Sequence, residues 1–285
     1  MKKYVFPLKK RTAQSTWRGV VHAVKSALYR KHDMGFQLKN IPLTYWVLPG
    51  TYFSKHLSKF GSYEAENSNW ILDNFLGGQG RLFVDVGANF GWYTMIFSLC
   101  AGSAGQVVAI EPEPGNLRLL TKNKAENHAD NVKIIASGVG EKAGNAELFL
   151  NAKSNPGMHS LRQNIISTDK VSIKISTLDD LLRDVPGDID LLKMDIEGFE
   201  VDALLGAMET LARTRCVLVE FSPGFIRACG RDPLQLLTIF ERQHFRPYLM
   251  KSGQLQATDI AYLSALDERL AHMKNPQADI FYLKS

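Results

Sequence analysis

The sequence predicts an α/β protein with a mostly parallel central sheet that is covered by helices on both faces. From residue 81 onward, short apolar runs alternate with segments of helical periodicity, which is the pattern of a parallel sheet buried on both faces. The 285 residues are 45% hydrophobic, enough for a sizeable core. Acidic residues and glycines follow several of the apolar runs, at the sheet edge where such folds bind ligands.

The first part of the chain differs from the rest. Residues 13–32 have the period of a basic amphipathic helix, residues 41–61 indicate an irregular or hairpin-containing connector, and residues 62–76 indicate a helix. We therefore divide the chain into a basic N-terminal extension and connector (1–61) and a catalytic domain (62–285).

The alternation in the second part predicts five core strands, at 81–86, 106–110, 132–136, 189–194 and 216–221. Helices are expected between and after them, at 90–101, 113–127, 199–208 and 233–243. Two extra strands, which an antiparallel pairing would suit, are predicted at 146–150 and 171–175, and two late strands at 246–250 and 280–283.

Charge is unevenly distributed along the chain. The net charge is +5, but residues 1–40 carry ten basic side chains and only one acid, so the remainder is net negative. A nucleic-acid partner is therefore disfavoured, because the basic character belongs to the extension alone. No apolar run approaches the roughly 18 residues of a membrane span, and no signal peptide is recognised. Three cysteines without CxxC spacing suit reduced thiols, so we expect a cytoplasmic protein.

The basic extension also has an apolar stripe. Trp17, Val20, Val21, Val24 and Leu28 recur at helical spacing among lysines and arginines, the composition of a helix that lies in a membrane interface. This predicts peripheral contact with an anionic membrane, at the inner face of a bacterial membrane. A solvated arm, a nucleic-acid contact and a helix packed on the catalytic domain are the competing interpretations.

The first core strand ends in a candidate cofactor loop. Asp85 stands at the strand end, Gly87 permits a sharp turn, and Asn89 and Gly91 lead into the next helix. A simple strand–helix turn would explain the glycines, but a carboxylate at the strand end is poorly explained by packing. Asn89 occupies the place where a dinucleotide fingerprint has its middle glycine, so the spacing disfavours a nicotinamide or flavin site.

The second and third strands extend this site. Glu111 lies twenty positions after Gly91, the separation at which an acid reaches ribose hydroxyls. It could instead stabilise the N-terminus of the following helix, a role that Glu113 fills better. Ser137, after the third strand, would border an adenine, although an ordinary turn would also explain it.

Acidic residues that could serve catalysis follow the fourth and fifth core strands. Asp195 and Glu197 could act as a base, position a positively charged group or bind a divalent cation, and whether a metal takes part is left open. Glu200 could simply cap its helix, and Glu220 places another acid on the same edge. His159, in a loop, is a candidate base because a neutral imidazole can take a proton near pH 7.

These motifs resemble those of the FkbM family of methyltransferases, over about residues 62–223. The resemblance is carried by residues 84–91, 110–114 and 176–182, and above all by the Lys-x-Asp-x-Glu-Gly-x-Glu stretch within 192–200. It implies a Rossmann-like class I methyltransferase fold and S-adenosylmethionine as methyl donor. It also implies O-methylation of a hydroxyl on a sugar, glycan or secondary metabolite, as in polysaccharide biosynthesis.

Three other functions are weighed against this one. A methyltransferase acting on RNA or DNA is supported only by the basic extension, and the Asn/Asp-Pro-Pro-aromatic and Pro-Cys elements are absent. A nicotinamide-dependent sugar oxidoreductase lacks its middle glycine and a suitable Tyr-x-x-x-Lys pair. A non-catalytic nucleotide-binding or scaffold protein with a degenerate fold is disfavoured because Asp85, Gly87, Gly91 and Glu111 are all intact.

Overall fold

A computed structural model describes residues 4–8, 13–28, 32–149, 170–270 and 277–285. Its strands, in chain order, are β1 (Met34–Gln37), β2 (Thr44–Val47), β3 (Leu82–Val86), β4 (Gln106–Ile110), β5 (Val132–Ile135), β6 (Gly138–Val139), β7 (Gly144–Phe149), β8 (Lys170–Ser176), β9 (Leu191–Met194), β10 (Cys216–Phe221), β11 (Phe245–Lys251), β12 (Gln254–Ala257) and β13 (Ala278–Lys284).

The helices flank these strands. They are α1 (Ala13–Leu28), α2 (Tyr52–Phe60), α3 (Ala65–Phe75), α4 (Trp92–Ala101), α5 (Pro114–Glu126), α6 (Leu178–Leu182), α7 (Glu200–Leu205), α8 (Met208–Ala212), α9 (Pro223–Ala228), α10 (Pro233–Arg242) and α11 (Ile260–Leu270).

The central sheet has the order β12-β11-β13-β10-β9-β3-β4-β5 within the described ranges. The run from β10 to β5 is parallel, while β13 is antiparallel to both β10 and β11. Alternate residues of β3 enter different hydrophobic cores: Val84 and Val86 pack on one side, and Phe83 packs on the other. The predicted α/β class, with helices covering both faces of a mostly parallel sheet, is therefore confirmed.

The strand order places the site. Successive connections lead from β3 to β4 and β5 on one side, and then to β9 and β10 on the other. The carboxyl ends of these parallel strands consequently share one edge, with the change of direction at β3. Ligands of doubly wound sheets bind at such a switch in strand order.

Several predicted elements differ in detail. The predicted connector, 41–61, holds only the second strand of a hairpin, because β1 lies before it, and it also holds a helix, α2, which we did not predict. The residues at both ends of α2 are typical helix caps: the Thr51 hydroxyl accepts a hydrogen bond from the Ser54 N–H, and Gly61, at a left-handed φ of 70°, follows the helix. The predicted helix 199–208 is two short helices, and β12 and α11 were missed. The predicted extra strands β7 and β8 pair antiparallel, in a separate sheet with β6.

Two asparagines at the C-terminal end of α5, Asn123 within the helix and Asn127 as its C-cap, attach the hairpin to the rest of the protein. Asn123 accepts from the Trp46 N–H at 2.6 Å and donates to the Trp46 carbonyl oxygen at 3.1 Å. Asn127 makes the same pair of bonds with Thr44, both at 2.8 Å. Strand β2 is thus hydrogen-bonded along one edge by helix side chains and along the other by β1.

Residues of the N-terminal region also pack in one of the two hydrophobic cores that flank the central sheet. Phe6 is buried with its ring centroid 5.1 Å from that of Trp92, and the Tyr45 hydroxyl donates to the Trp92 carbonyl oxygen at 2.9 Å. The division of the chain near residue 61 stays a prediction.

Helix α1 packs against α2 through a polar side. Ser15 and His22 are buried, and the Ser58 hydroxyl of α2 donates to the Arg18 carbonyl oxygen at 3.2 Å. Trp17, in contrast, is 67% exposed, and Val21 is half-buried. The side chains of Val20, Val24 and Leu28 lie outside the described residues. No helix in the described ranges is long and apolar enough to cross a membrane.

Candidate active site

A cavity of about 650 Å³ lies at the carboxyl edge of the parallel strands. Residues at or just after the carboxyl ends of β3, β4, β9 and β10 form its inner wall, and residues of α2 and of the segment before α3 form another wall. Eight of the predicted site residues border it: Asp85, Gly87, Asn89, Glu111, Ser137, Asp195, Glu197 and Glu220. Gly91 does not line the cavity, and His159 lies outside the described residues.

A buried lysine that we did not predict as a site residue joins two of the strand ends. The Lys193 ammonium lies 3.4 Å from Asp195 Oδ2 and 3.9 Å from Asp85 Oδ1, and it donates to the Gly87 carbonyl oxygen at 3.3 Å. Burial lowers the pKa of Lys193, but the charges of Asp195 and Asp85 outweigh this effect and raise it. Lys193 is therefore a permanent cation at the base of the cavity.

Asp85, near the end of β3, is held by a short hydrogen bond from α4. Its Oδ2 accepts from the Thr94 hydroxyl of α4 at 2.5 Å, and burial raises the pKa of the carboxyl. Its Oδ1 is buried without a hydrogen-bond partner. A buried carboxylate oxygen with spare acceptor capacity, in a cavity wall, is suited to a ligand that donates a hydrogen bond.

The turn after β3 brings the backbone close to the loop after β9. Gly87 has a left-handed φ of 74°, and a Cβ there would overlap the backbone carbonyl oxygen of Asp195. A bulky residue at Gly87 would therefore disrupt the protein itself before it could obstruct a ligand. Asn89 is also left-handed, with φ 54°. Gly91, with φ 96°, leaves no room for a Cβ because Leu120 packs against it.

Glu111 organises the neighbouring loop and faces the cavity. Its Oε2 accepts from the Asn89 N–H at 2.8 Å, and its Oε1 accepts from the Glu113 N–H at 2.9 Å and from Asn116 Nδ2 at 3.3 Å. Burial, partly offset by these hydrogen bonds, raises the pKa of Glu111 to about 7. Since Oε2 accepts one bond from the protein, it retains a lone pair for a ligand.

The two neighbours of Glu111 have structural partners of their own. Glu113 caps α5 by accepting from the Gly115 and Asn116 N–H groups at 2.9 and 2.5 Å. The buried Ser137 hydroxyl donates to the Gly138 carbonyl oxygen at 2.8 Å. The ribose role of Glu111 and the adenine contact of Ser137 stay predictions.

The loop between β9 and α7 is built around Glu200. This fully buried side chain accepts through Oε1 from the N–H groups of Ile196 and Gly198, at 3.0 and 3.2 Å. Its Oε2 is buried without a partner, and burial raises the pKa to about 7. Glu200 thereby shapes the loop that presents Asp195 and Glu197. Glu197 adopts a left-handed φ of 56°, and burial followed by the charge of Asp195 raises its pKa to about 8.

Further acids surround the same cavity. Glu220 accepts from the Ser222 hydroxyl at 2.8 Å and from Gln277 Nε2 at 2.6 Å, and burial followed by the charge of Asp195 raises its pKa well above the ordinary value. Asp279 lies opposite Glu220 in the β10–β13 pairing, and burial raises its pKa to about 6.

Two of these wall acids, Asp279 and Glu64, were missed by the sequence analysis. Glu64 accepts from the Tyr93 hydroxyl at 2.5 Å, and burial raises its pKa to about 8. Asp279 stands next to a predicted strand, and Glu64 stands in a predicted helix. Only the tertiary fold brings them to the cavity.

The donor set does not form a metal centre in the described ranges. No group of three histidine, cysteine, aspartate or glutamate side chains there is arranged to hold a metal ion.

Comparison with known proteins identifies the family. The family model described as "Methyltransferase FkbM domain" matches residues 85–247, more than half of the chain. The chain belongs to the FkbM methyltransferase family. This segment contains the end of β3, the turn around Gly87, Glu111 and the loop around Asp195.

Individual relatives are more distant. The chain is 28% identical to "Methyltransferase 1" of Beauveria bassiana, in a match covering 43% of this chain and 57% of the relative. It is 29% identical to "Methyltransferase sdnD" of Sordaria araneosa, covering 44% of this chain and 60% of the relative. The chain thus spans less than two thirds of these curated relatives. A crystal structure of methyltransferase FkbM from Methylobacillus flagellatus shares 14% identity, with a TM-score of 0.46, over 93% of this chain and 59% of that one.

The buried carboxyls predict an unusual pH dependence of stability. A carboxyl whose pKa is higher in the folded protein than in the unfolded chain binds more protons when folded, so stability falls as pH rises between the two values. With Glu111 and Glu200 near pKa 7 and Glu64 and Glu197 near pKa 8, the free energy of unfolding should decrease from about pH 5 to about pH 8. Urea denaturation across this range measures it.

Glu200→Gln should flatten this dependence, by up to about 1.4 kcal/mol per pH unit between about pH 5 and 7, because the amide cannot ionise but its oxygen can still accept the two loop bonds. Glu209→Gln, at an exposed position of α8, is the matched control. A Glu200→Gln profile parallel to that of the unsubstituted protein would contradict the assignment.

Proposed function

We propose that this protein is an S-adenosylmethionine-dependent O-methyltransferase whose acceptor is a hydroxyl of a sugar, a glycan or another small molecule. The observation that carries the proposal is the convergence, within the family segment, of Glu111 and the Asp85–Lys193–Asp195 cluster on one cavity. Membership of the family supports S-adenosylmethionine as the donor, and the carboxylates in the cavity wall support a hydroxyl group as the acceptor.

The residues of the inner wall suit the proposed donor. Glu111 Oε2 has a lone pair left for a ribose hydroxyl, and Asp85 Oδ1, 3.9 Å from the Lys193 ammonium, accepts no hydrogen bond from the described residues. The positive charge of a sulfonium is favoured in a cavity whose wall carries several carboxyls around one lysine. S-adenosylmethionine supplies an electrophilic methyl group, and the protein must hold the acceptor oxygen in line with it. Positioning of this kind can contribute roughly 7–11 kcal/mol to lowering the barrier.

Asp195 is the proposed acceptor of the hydroxyl proton. It borders the cavity with a third of its side chain exposed, and Lys193 holds its Oδ2 at 3.4 Å. Glu197, with a pKa of about 8, is largely protonated at neutral pH, and burial raises the pKa of Glu220 well above its ordinary value. A protonated carboxyl donates a hydrogen bond and would orient an acceptor. His159 stays a predicted alternative base outside the described residues.

Loss of the Glu111 carboxylate should weaken cofactor binding. We expect Glu111→Ala to reduce the affinity for S-adenosylmethionine about tenfold to a hundredfold, since a hydrogen bond to a charged group contributes about 1.5–3 kcal/mol. Isothermal titration calorimetry measures this, with Glu268→Ala, at an exposed position of α11, as control. Unchanged affinity in a variant that keeps its thermal unfolding transition would rule out the ribose assignment.

Asp195→Asn should separate chemistry from binding. We expect turnover to fall about 10²–10⁴-fold, the usual contribution of a general base, while the Kd for S-adenosylmethionine changes little. Labelled donor, screened against nucleotide sugars, lipid-linked glycans and polysaccharide fragments, provides the assay. Asp130→Asn, at an exposed position after α5, should leave turnover unaffected. If Asp195→Asn lowers only the melting temperature, the Lys193 cluster is structural.

We also propose that the N-terminal region rests on the inner, anionic face of a bacterial membrane. Trp17, Leu8 and Val5 are 67%, 52% and 41% exposed, in a region of strong positive charge. Exposed apolar side chains among basic residues are typical of interfacial segments.

Co-sedimentation with vesicles containing phosphatidylglycerol tests this placement. The unsubstituted protein should sediment at low salt, and Trp17→Ser should reduce the bound fraction severalfold because the indole supplies the largest exposed apolar surface. Leu234→Ser removes an apolar side chain, 41% exposed, from α10 and is the matched control. Equal losses in both variants, or no sedimentation of the unsubstituted protein, would refute it.

A further inference from the structure

We propose that a second cavity, between α1 and α2, binds a phosphate or pyrophosphate group carried by the acceptor. This cavity has a volume of about 460 Å³, and its walls combine two lysines with hydroxyl and aromatic side chains. We refer to it as the basic pocket; the residues that matter most are Ser15, Thr16, Tyr52, Lys55, His56 and Lys59. That its ligand is the acceptor rests on the proposed methyltransferase function, whereas the binding of phosphate does not.

The cationic character of the basic pocket comes from Lys55 and Lys59. They stand one helical turn apart on α2, so they occupy the same face of the helix. Both are exposed, and no described carboxylate lies within ion-pair distance of either ammonium group. Two adjacent cations without counter-ions repel each other, and a bound phosphate would relieve that repulsion.

The surrounding chain offers little negative charge to compete with such a ligand. Among residues 1–63, Asp33 is the only acid. It is already held by Arg118 at 2.7 Å and by Lys122 at 2.9 Å. The positive field also reaches the α1–α2 interface, because burial and then the charges of Lys55 and Lys59 lower the pKa of His22. The local potential therefore favours an anion.

The basic pocket adjoins the acidic cavity. Tyr52 and His56 line both of them, so the two spaces meet at one face of α2. The Asp195 carboxylate would repel a phosphate from the inner cavity, while Lys55 and Lys59 would attract it to the outer one. A phosphorylated sugar would consequently bind in one orientation, with its hydroxyls toward Asp195 and its phosphate toward the lysines.

Direct titration of the full chain tests the pocket without a known acceptor. Inorganic pyrophosphate is titrated by calorimetry, in the absence of S-adenosylmethionine, at low and moderate ionic strength. The unsubstituted protein should bind pyrophosphate. Lys55→Gln and Lys59→Gln should each weaken binding about threefold to tenfold, because each removes from the pocket one exposed cation that would attract the ligand. Lys39→Gln removes one charge from the same basic region at an exposed position outside both cavities and should leave affinity unchanged.

The outcomes separate this proposal from its alternatives. Equal weakening by Lys39→Gln, or no weakening by the pocket variants, would mean general attraction to a basic region and would overturn it. Vesicle binding that depends on Lys55 and Lys59, without binding of free pyrophosphate, would identify a lipid headgroup as the source of the phosphate. Absence of both kinds of binding would also overturn it. If the unsubstituted protein binds pyrophosphate but not S-adenosylmethionine, the methyltransferase proposal fails and the phosphate site stands.

Discussion

The arrangement of the site depends on one buried cation. Lys193 extends from β9 between Asp85 of β3 and Asp195 of the following loop, and it also binds the carbonyl oxygen of Gly87. Desolvating an ammonium is costly, and only its close negative partners compensate for it. The ends of β3 and β9 are therefore held together by electrostatics as well as by the parallel hydrogen bonds between them. Removing the Lys193 ammonium would leave both aspartates without their cation, and Asp85 would remain buried without a positive partner.

Around this cation, the fold concentrates several buried carboxyl side chains. Each carboxyl also accepts hydrogen bonds that hold the local chain: Glu200 from loop N–H groups, Glu111 from the Asn89 N–H, and Glu220 from Ser222 and Gln277. Each of them therefore combines a structural bond with a raised pKa. Such environments are common where chemistry occurs, because burial and like charge shift proton affinities toward neutral pH.

Much of this arrangement could be read from the sequence, because it depends on local signals. The strand ends carrying Asp85, Glu111 and Asp195 were recognised from apolar runs followed by acids and glycines, and the parallel topology brings such ends together. Lys193 was passed over because a lysine inside an apolar strand gives no sign of its partners. Asp279 and Glu64 reach the cavity through antiparallel pairing and helix placement, which depend on contacts between residues distant in sequence.

The hairpin can attach to α5 because the residue spacing along the helix matches the residue spacing along the strand. Asn123 and Asn127 are four residues apart on a helix, a rise of about 6 Å, and Trp46 and Thr44 are two residues apart on a strand, a rise of about 6.8 Å. The two bonding positions on the helix are therefore almost as far apart as the two on the strand. A shift of β2 by one residue would turn its bonding groups away from both asparagines, so β2, whose Val47 lines the cavity, can change register only in steps of two residues. Insertions in this part of the chain should accumulate in the hairpin turn, between β1 and β2, and leave β2 itself at constant length.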